Sequence, residues 1–473
     1  MRVLFVVQKE ATLIEYLGQM YISAVLKEAG HETRGLAAQD FDQAAMTVRE
    51  FQPDLIGFAM TTGVHPFHLD LVRRLKQQFE FTSIFGGPHP TYFPEIIEED
   101  GVDIVCVGEG EYPVLELVQH LEAGTSHGSV ANLIIKQDGE QSHNPPRPFL
   151  QDLDSLPFPD RELWGPPRRK VFSLIANRGC PYACTYCFNH QHKRLAEGRY
   201  LRQRSVQNVI AECIELRDRF GATKVDFQDD IFVLDKKWLR EFMPRFRDQV
   251  GLPFWCHVRA NLLTEEVVAL LKEGGCVAVA LGVEAGNDEL RNLVLKRQLK
   301  REEIVRSGRW LIDHGIDLLT QNMIALPGET IEMAFETVEI NAQIRPQHMN
   351  LYFFQPYPGT ELAQYSIDHG YFDGDFDDYP ESYLARSSNE IPIQTPEERE
   401  FKLLADAFHL LVKFPALIPY VRYTLTRKRD TWGGRLWSSL LSLPMHAYSL
   451  IKVRVLAAMS HEQRQTVRRL LKV

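Results

Sequence analysis

VFSLIANRGCPYACTYC, residues 171–187, decides how the rest of the chain is read. The apolar VFSLIA run reads as a buried strand ending at Asn177-Arg178-Gly179, so the residues after it form a loop at a strand tip. That loop carries Cys180, Cys184 and Cys187 in C-x3-C-x2-C spacing. Three thiolates on one short loop can converge on a single metal centre, and soft sulfur selects zinc, copper(I) or an iron–sulfur cluster. A structural zinc site normally closes with a second C-x2-C knuckle, which the sequence lacks. A 4Fe–4S cluster held by three cysteines leaves one iron open to bind and activate a substrate.

Downstream, five more strand-like runs are separated by helical patterns: KVDFQDD (224–230), PFWCHVRA (253–260), VAVALGVEAG (277–286), LLTQNMIALPG (318–328) and NLYFFQPYPGT (350–360). Six β/α units predict a partial (β/α)6 barrel with its active residues at the carboxyl ends of the strands. The polar residues fall there: Gln228, Asp229 and Asp230; His257 and Arg259; Glu284; Gln321 and Asn322; Gln355 and Tyr357. Cys106, Cys213, Cys256 and Cys276 lie in apolar runs and read as small core residues. Asp235 and Asp317 read as solvated. Arg199, Arg202 and Arg204, just before the N-cap Ser205, face the linker or an acidic partner or, the favoured reading, solvent.

The cysteine loop resembles the radical S-adenosylmethionine (SAM) signature C-x3-C-x-aromatic-C, with Tyr186 as the aromatic. That resemblance implies an open iron that chelates the amino and carboxylate groups of SAM. It also implies one-electron cleavage to a 5′-deoxyadenosyl radical, fed by a donor such as flavodoxin or ferredoxin. Within that frame Arg259 suits the SAM carboxylate, because a guanidinium pairs with it bidentately. Glu284 suits the ribose hydroxyls as a double acceptor. Gln228, Asp229 and Asp230 lie where the family contacts the SAM amino group, although QDD stands in place of G-G-E. LPGET (326–330) and PYPGTEL (356–362) also resemble late-barrel segments of the family.

Upstream, RVLFVV at 2–7 opens an alternation of strands and helices. HETRGL, DLIGFAM (54–60), TSIFGG (82–87) and DIVCVG (103–108) are the later strands, with helices expected near 13–29 and 93–99. This is the pattern of a doubly wound, Rossmann-like parallel sheet, which binds ligands beyond the strands' carboxyl ends. Those ends carry Thr61, Thr62 and Gly63; Gly86, Gly87, Pro88 and His89; and Gly108, Glu109 and Gly110. FGGPHPTYFPE followed by VDIVCVGEGEYPVLEL resembles the cobalamin-binding domain that precedes many radical SAM cores. The D-x-H-x-x-G box after the first strand is replaced by QKEATLIEYLG, so no His from that motif can be the lower cobalt ligand. His89, a lone His, reads as pocket lining or a helix cap. ANLIIKQDGEQSH (131–143) reads as a hairpin turning at Asp138-Gly139.

The expected organisation is α/β throughout: a cobalamin-binding domain at 1–143, a proline-rich linker at 144–167, a radical SAM barrel at 168–370 and a helical region at 371–473. The resemblance implies a fold with three cofactors: a 4Fe–4S cluster, SAM and cobalamin. The commonest chemistry of that pairing is methylation of an unactivated carbon of a small-molecule or lipid substrate. Its rivals are ring formation with the same cofactors and a non-catalytic cobalamin sensor with a structural cluster.

The chain of 473 residues is 44% hydrophobic and 25% charged, which suits a globular protein of two or three domains. Seven cysteines without framework spacing, and no signal peptide, point to a reducing, cytoplasmic setting. A net charge of −10 argues against nucleic acid as a partner. Residues 422–473 run the other way, with eleven Lys and Arg against two acids. GGRLWSSLLSLPMHAYSLIKVRVLAAM interleaves apolar and basic residues there. It reads either as a helical cap on the barrel or as an interfacial helix on the inner face of an anionic membrane.

Overall fold

The computed structural model describes residues 1–9, 15–137, 139–167, 169–376 and 391–427. Seven strands form the first sheet: β1 (Arg2–Gln8), β2 (Glu32–Ala38), β3 (Leu55–Ala59), β4 (Thr82–Gly86), β5 (Ile104–Cys106), β6 (Leu133–Gln137) and β7 (Glu140–His143). Their order is β2-β1-β3-β4-β5-β6-β7. The pairs from β2 to β5 are parallel, while β5–β6 and β6–β7 are antiparallel, so the expected hairpin forms the sheet edge. The inner parallel strands β1 and β3 are near-continuous apolar runs because helices cover both faces, while the edge strand β2 is half exposed. On one face Leu17, Leu26, Leu117 and Val118 pack against Val3, Phe5 and Ile84. On the other, Val48, Phe51, Leu71 and Leu75 pack against Leu4, Ile56 and Phe85. Strand order reverses between β1 and β3, which opens a crevice at the carboxyl ends.

The helix expected near 93–99 is instead a short helix, Pro88–Tyr92, and a 3-10 turn, Pro94–Glu98. Prolines at 88, 90 and 94 divide the segment, since each lacks an N–H to carry a helical ladder.

The second sheet holds six parallel strands: β8 (Val171–Leu174), β11 (Lys224–Phe227), β12 (Phe254–Val258), β13 (Cys276–Glu284), β14 (Asp317–Ile324) and β15 (His348–Phe353). Each strand neighbours the next in chain order, giving an open partial barrel. A two-stranded ribbon, β9 (Asn177–Arg178) with β10 (Arg202–Gln203), lies between β8 and β11 in sequence. The single strand expected over 171–179 is therefore broken. The backbone N–H groups of Ala176 and Asn177 donate to the Asp229 carboxylate at 3.0 and 2.5 Å instead of extending the ladder beside β11. That diversion re-aims the chain into the cysteine loop.

Helices Glu398–Lys413 and Ile418–Arg427 lie on the outside of the barrel. Phe401, Leu404 and Phe408 pack on Phe335 and Val338 of helix Ile331–Ile344, and on Phe353 of β15. None of residues 391–427 lines the cavity inside the barrel, so this part of the C-terminal region buttresses the barrel's far edge rather than its mouth. The interleaved basic segment lies outside the described residues. Among the described residues no helix is long and apolar enough to cross a membrane.

Buried ion pairs join the two sheets. Arg161 pairs with Glu15 at 3.1 Å and with Glu212 at 2.7 Å, and Glu212 also takes Arg204 at 2.6 Å. Glu109 takes Arg178 and Arg202, each at 2.9 Å, and Glu111 takes Arg178 at 2.6 Å. Arg202 and Arg204 are thus buried, not solvated as their sequence context suggests. Asp235 is exposed as expected, but it also caps helix Lys236–Arg245 by accepting from the N–H of Lys237 and Trp238.

Candidate functional site

The cysteine loop is held from three sides. Thr185 donates its hydroxyl to the Val294 carbonyl at 2.7 Å and its N–H to the Leu295 carbonyl. The Leu362 N–H in turn donates to the Thr185 carbonyl, tying PYPGTEL to the loop. Arg259 sits over the Tyr182 ring, 3.7 Å from its centroid. Its Nη1 lies 3.7 Å from the Cys184 sulfur as a donor, and Asn189 Nδ2 donates to Cys187 at 3.5 Å. Cys184 is buried, while Cys180 and Cys187 are partly exposed. Among the described residues no three His, Cys, Asp or Glu side chains converge as ligands of one ion. The three thiols share one loop with N–H donors at two of the sulfurs, a donor set that fits a cluster with one iron left open.

Below the loop, the barrel encloses a cavity of about 700 Å³. Tyr186, Gln228, His257 and Glu284 line its upper part, and Asp226, Trp255, Gln321 and Asn350 lie among its other walls. Glu284 sits at a register shift between β13 and β14 with φ of +64°, a left-handed conformation uncommon for a non-glycine residue. Arg297 donates to the Glu284 carboxylate at 3.0 Å, to the Tyr186 hydroxyl and to the Gly282 carbonyl. Burial raises the Glu284 carboxyl above its ordinary range, and Arg297 opposes that rise. Burial likewise pushes the Tyr186 phenol up.

A second cavity, of about 440 Å³, lies where the crevice of the first sheet meets the start of the cysteine loop. Gly86, Gly87 and Gly108 rim it from the first sheet, and Asn177, Gly179 and Asp230 close it from the barrel. A Cβ at Gly86 would meet only Cys106, at 3.8 Å, so its missing side chain leaves backbone open to a ligand. Gly87 has φ of +103°, and a Cβ there would sit 2.8 Å from the Met60 carbonyl oxygen. Cavity-lining Glu109 is fully paired. Burial pushes its carboxyl up, but Arg178 and Arg202 outweigh burial and hold it below the usual carboxylate range. The glycine rim and the paired Glu109 fit a broad, largely apolar ring system approaching backbone, as a corrin would.

Gln228 lines both cavities. The structure thus brings together Tyr186, Gln228 and Glu284 around one cavity, and Gly86, Gly87, Gly108 and Glu109 around the other. Asp229 lines neither. It is buried beneath the loop, and burial raises its carboxyl to about 7 against the Ala176 and Asn177 N–H bonds. Arg259 also lines neither, since its guanidinium is held by Tyr182, Asn261 and the Arg297 carbonyl. Thr61 and Thr62 do not line the sheet cavity; the Thr62 hydroxyl pairs with His89 Nδ1 at 3.1 Å. His89 is likewise absent from that cavity, stacked between His65 and Phe93. Arg178, His192 and Arg297 are the site residues that the sequence does not single out. Arg297 sits in the charged stretch VLKRQLK, which reads as surface.

Residues 4–118 match the model of the B12 binding domain, and residues 174–340 match that of the radical SAM superfamily. An uncharacterized methyltransferase of Pyrococcus horikoshii is 29% identical over 74% of this chain and 78% of its own length. Cytidylyl-2-hydroxyethylphosphonate methyltransferase of Streptomyces wedmorensis is 26% identical over 76% of this chain and 78% of its own. Anaerobic magnesium-protoporphyrin IX monomethyl ester cyclase of Rubrivivax gelatinosus is 25% identical over 68% of this chain and 60% of its own. Among solved structures, the radical S-adenosylmethionine methyltransferase TsrM from Kitasatospora setae, with cobalamin and a 4Fe–4S cluster bound, shares the fold at a TM-score of 0.68. It is 17% identical, and the likeness covers 94% of this chain and 99% of that one. The chain belongs to the radical SAM superfamily and carries a B12 binding domain ahead of its radical SAM domain. It is a cobalamin-dependent radical SAM enzyme, with a 4Fe–4S cluster, SAM and cobalamin as cofactors.

Proposed function

We propose that the enzyme transfers a methyl group to an unactivated carbon, with the two cavities sharing the work. The observation that carries this reading is Gln228, a common wall of the sheet cavity and the barrel cavity. When bound, the cluster and SAM supply a 5′-deoxyadenosyl radical, and cobalamin supplies the methyl group.

In this reading Cys180, Cys184 and Cys187 hold the cluster. Arg259 and Asn189 stabilise the thiolates by donating to their sulfurs, and Arg259 also fixes the loop through Tyr182. Arg297 locks Tyr186 and Glu284 into one unit, so the Glu284 carboxylate is pre-oriented to accept from a ribose diol. Gly86, Gly87 and Gly108 present backbone to the corrin. The paired Glu109, Arg178 and Arg202 fix the separation of the sheet from the barrel. Aromatic side chains at the barrel cavity, Tyr352, Phe354 and Tyr357 among them, exclude water from a reactive radical. A low-potential donor of the flavodoxin or ferredoxin class supplies the electron.

Product analysis tests the reading. Anaerobically reconstituted enzyme given SAM, reductant and an extract of its host should form 5′-deoxyadenosine and S-adenosylhomocysteine together. Deoxyadenosine without S-adenosylhomocysteine would replace methyl transfer with ring formation, and neither product would reduce the chain to a cofactor-binding module.

A further inference from the structure

One carboxyl in the barrel is left without a role by the cofactors. Asp226 lies on β11 in register with Ser173 of β8 and Trp255 of β12, and all three side chains line the barrel cavity. Gln228 and His257 stand two residues further along the same strands, one inward-facing layer nearer the cysteine loop. Asp226 therefore belongs to a deeper layer than the residues assigned to SAM. Its neighbours in the strand, Val225 and Phe227, are fully buried in the outer core.

The other charged side chains at this cavity each have an ion-pair partner. Glu284 is paired with Arg297, and Arg169 shares Glu15, 3.7 Å away, with Arg161. Asp226 makes no ion pair among the described residues. Its Oδ2 accepts from Gln228 Nε2 at 2.8 Å, while Oδ1 is buried with no hydrogen-bond partner. A carboxylate at a cavity wall with one hydrogen bond and no ion pair is costly to hold charged, and a cationic ligand recovers that cost. Beside it stands the Trp255 ring, with the His257 ring 4.9 Å away, and Tyr352 is on another wall. Burial lowers the His257 imidazole below its ordinary value, which disfavours its cation.

We propose that this floor is a substrate subsite for a protonated amine on a compact, flat molecule, seated on Trp255 with its ammonium on Asp226. The inference rests on the reading of the barrel as the site of methyl transfer, and it points away from a lipid chain, which would leave the Asp226 carboxylate without a cation. An aromatic wall next to a carboxylate favours cations twice, through charge and through the face of the ring.

Calorimetric titration of SAM-loaded holoenzyme with three indoles of matched size tests this: tryptamine, the neutral tryptophol and the anionic indole-3-acetate. Tryptamine should bind about tenfold more tightly than tryptophol, which in turn exceeds indole-3-acetate. Asp226→Asn should erase the preference for tryptamine, and Asp226→Glu should keep its sign. Retention of cobalamin through gel filtration shows that each variant is folded. Equal binding of tryptamine and tryptophol, a preference that survives in D226N, or no tryptamine binding in the low millimolar range each overturns the proposal. None of these results bears on whether 5′-deoxyadenosine is formed, so the reaction class stands or falls separately.

Discussion

The two cavities share one residue and almost nothing else. The sheet cavity is rimmed by glycines, and Glu109, Glu111, Arg178 and Arg202 are closed into one network, while Asp230 accepts from Asn189 at its edge. The barrel cavity is walled by aromatic and amide side chains, with Glu284 held in a strained backbone and Asp226 left uncancelled. The first is built to accept a large ring system by shape and backbone. The second is built to orient small polar groups by side-chain charge. The contrast suits a protein in which one cofactor stays resident while SAM and substrate come and go.

The largest expected effect falls on the barrel side. Replacing Cys180, Cys184 and Cys187 with Ala should remove the cluster's iron absorption and all SAM cleavage, yet leave cobalamin retention in the sheet cavity near wild type. Loss of both cofactors together would mean that the cavities are not independent. Next is Glu109→Ala, which leaves the buried Arg202 without its carboxylate. We expect roughly 2–5 kcal/mol lost in urea unfolding, together with weaker cobalamin retention. A smaller effect is expected at Gly87→Ala, where a positive φ and the Met60 carbonyl both resist a Cβ. About 1–3 kcal/mol of stability should go, with SAM binding unchanged.

The smallest is a pH slope. Burial raises the Asp226 carboxyl to about 7, opposed by the Gln228 hydrogen bond and Lys224 and reinforced by Glu15. A carboxyl raised in the folded state favours folding while it is protonated. Its contribution is therefore full below its unfolded value near 3.9 and is lost as pH rises toward 7. Urea midpoints of apo protein should fall across that window, and more steeply than in Asp226→Asn. Identical slopes would show that Asp226 titrates normally.

Much of this contrast was legible in the sequence because it rests on local pattern. The cysteine spacing, the strand–helix alternation and the glycines at strand ends are short-range signals, and they led to both sheets and to Gly86, Gly87, Gly108, Gln228 and Glu284. Asp226 was also readable in principle, since it and Lys224 are the two charged residues facing opposite Val225 and Phe227 in a short strand. Long-range pairing was not. Arg202 and Arg204 sit in a basic stretch that looks solvated and Arg178 at the end of an apolar run, because their partners Glu109, Glu111 and Glu212 are revealed only by folding. Asp229 and Arg259 have the right residue types at the right strand ends. The backbone break after β8 and the Tyr182 ring turn them toward the cysteine loop instead of the cavity. Thr61, Thr62 and His89 teach the same lesson, since a short proline-divided helix brings the Thr62 hydroxyl onto the His89 ring.

The division of labour between the cavities is tested most directly by a crystal structure of the reconstituted enzyme with hydroxocobalamin and SAM. The account predicts the corrin against Gly86, Gly87 and Gly108, SAM against Tyr186 and Glu284, and Gln228 in contact with both ligands. Cobalamin bound away from the glycine rim, or SAM bound outside the barrel cavity, would contradict it.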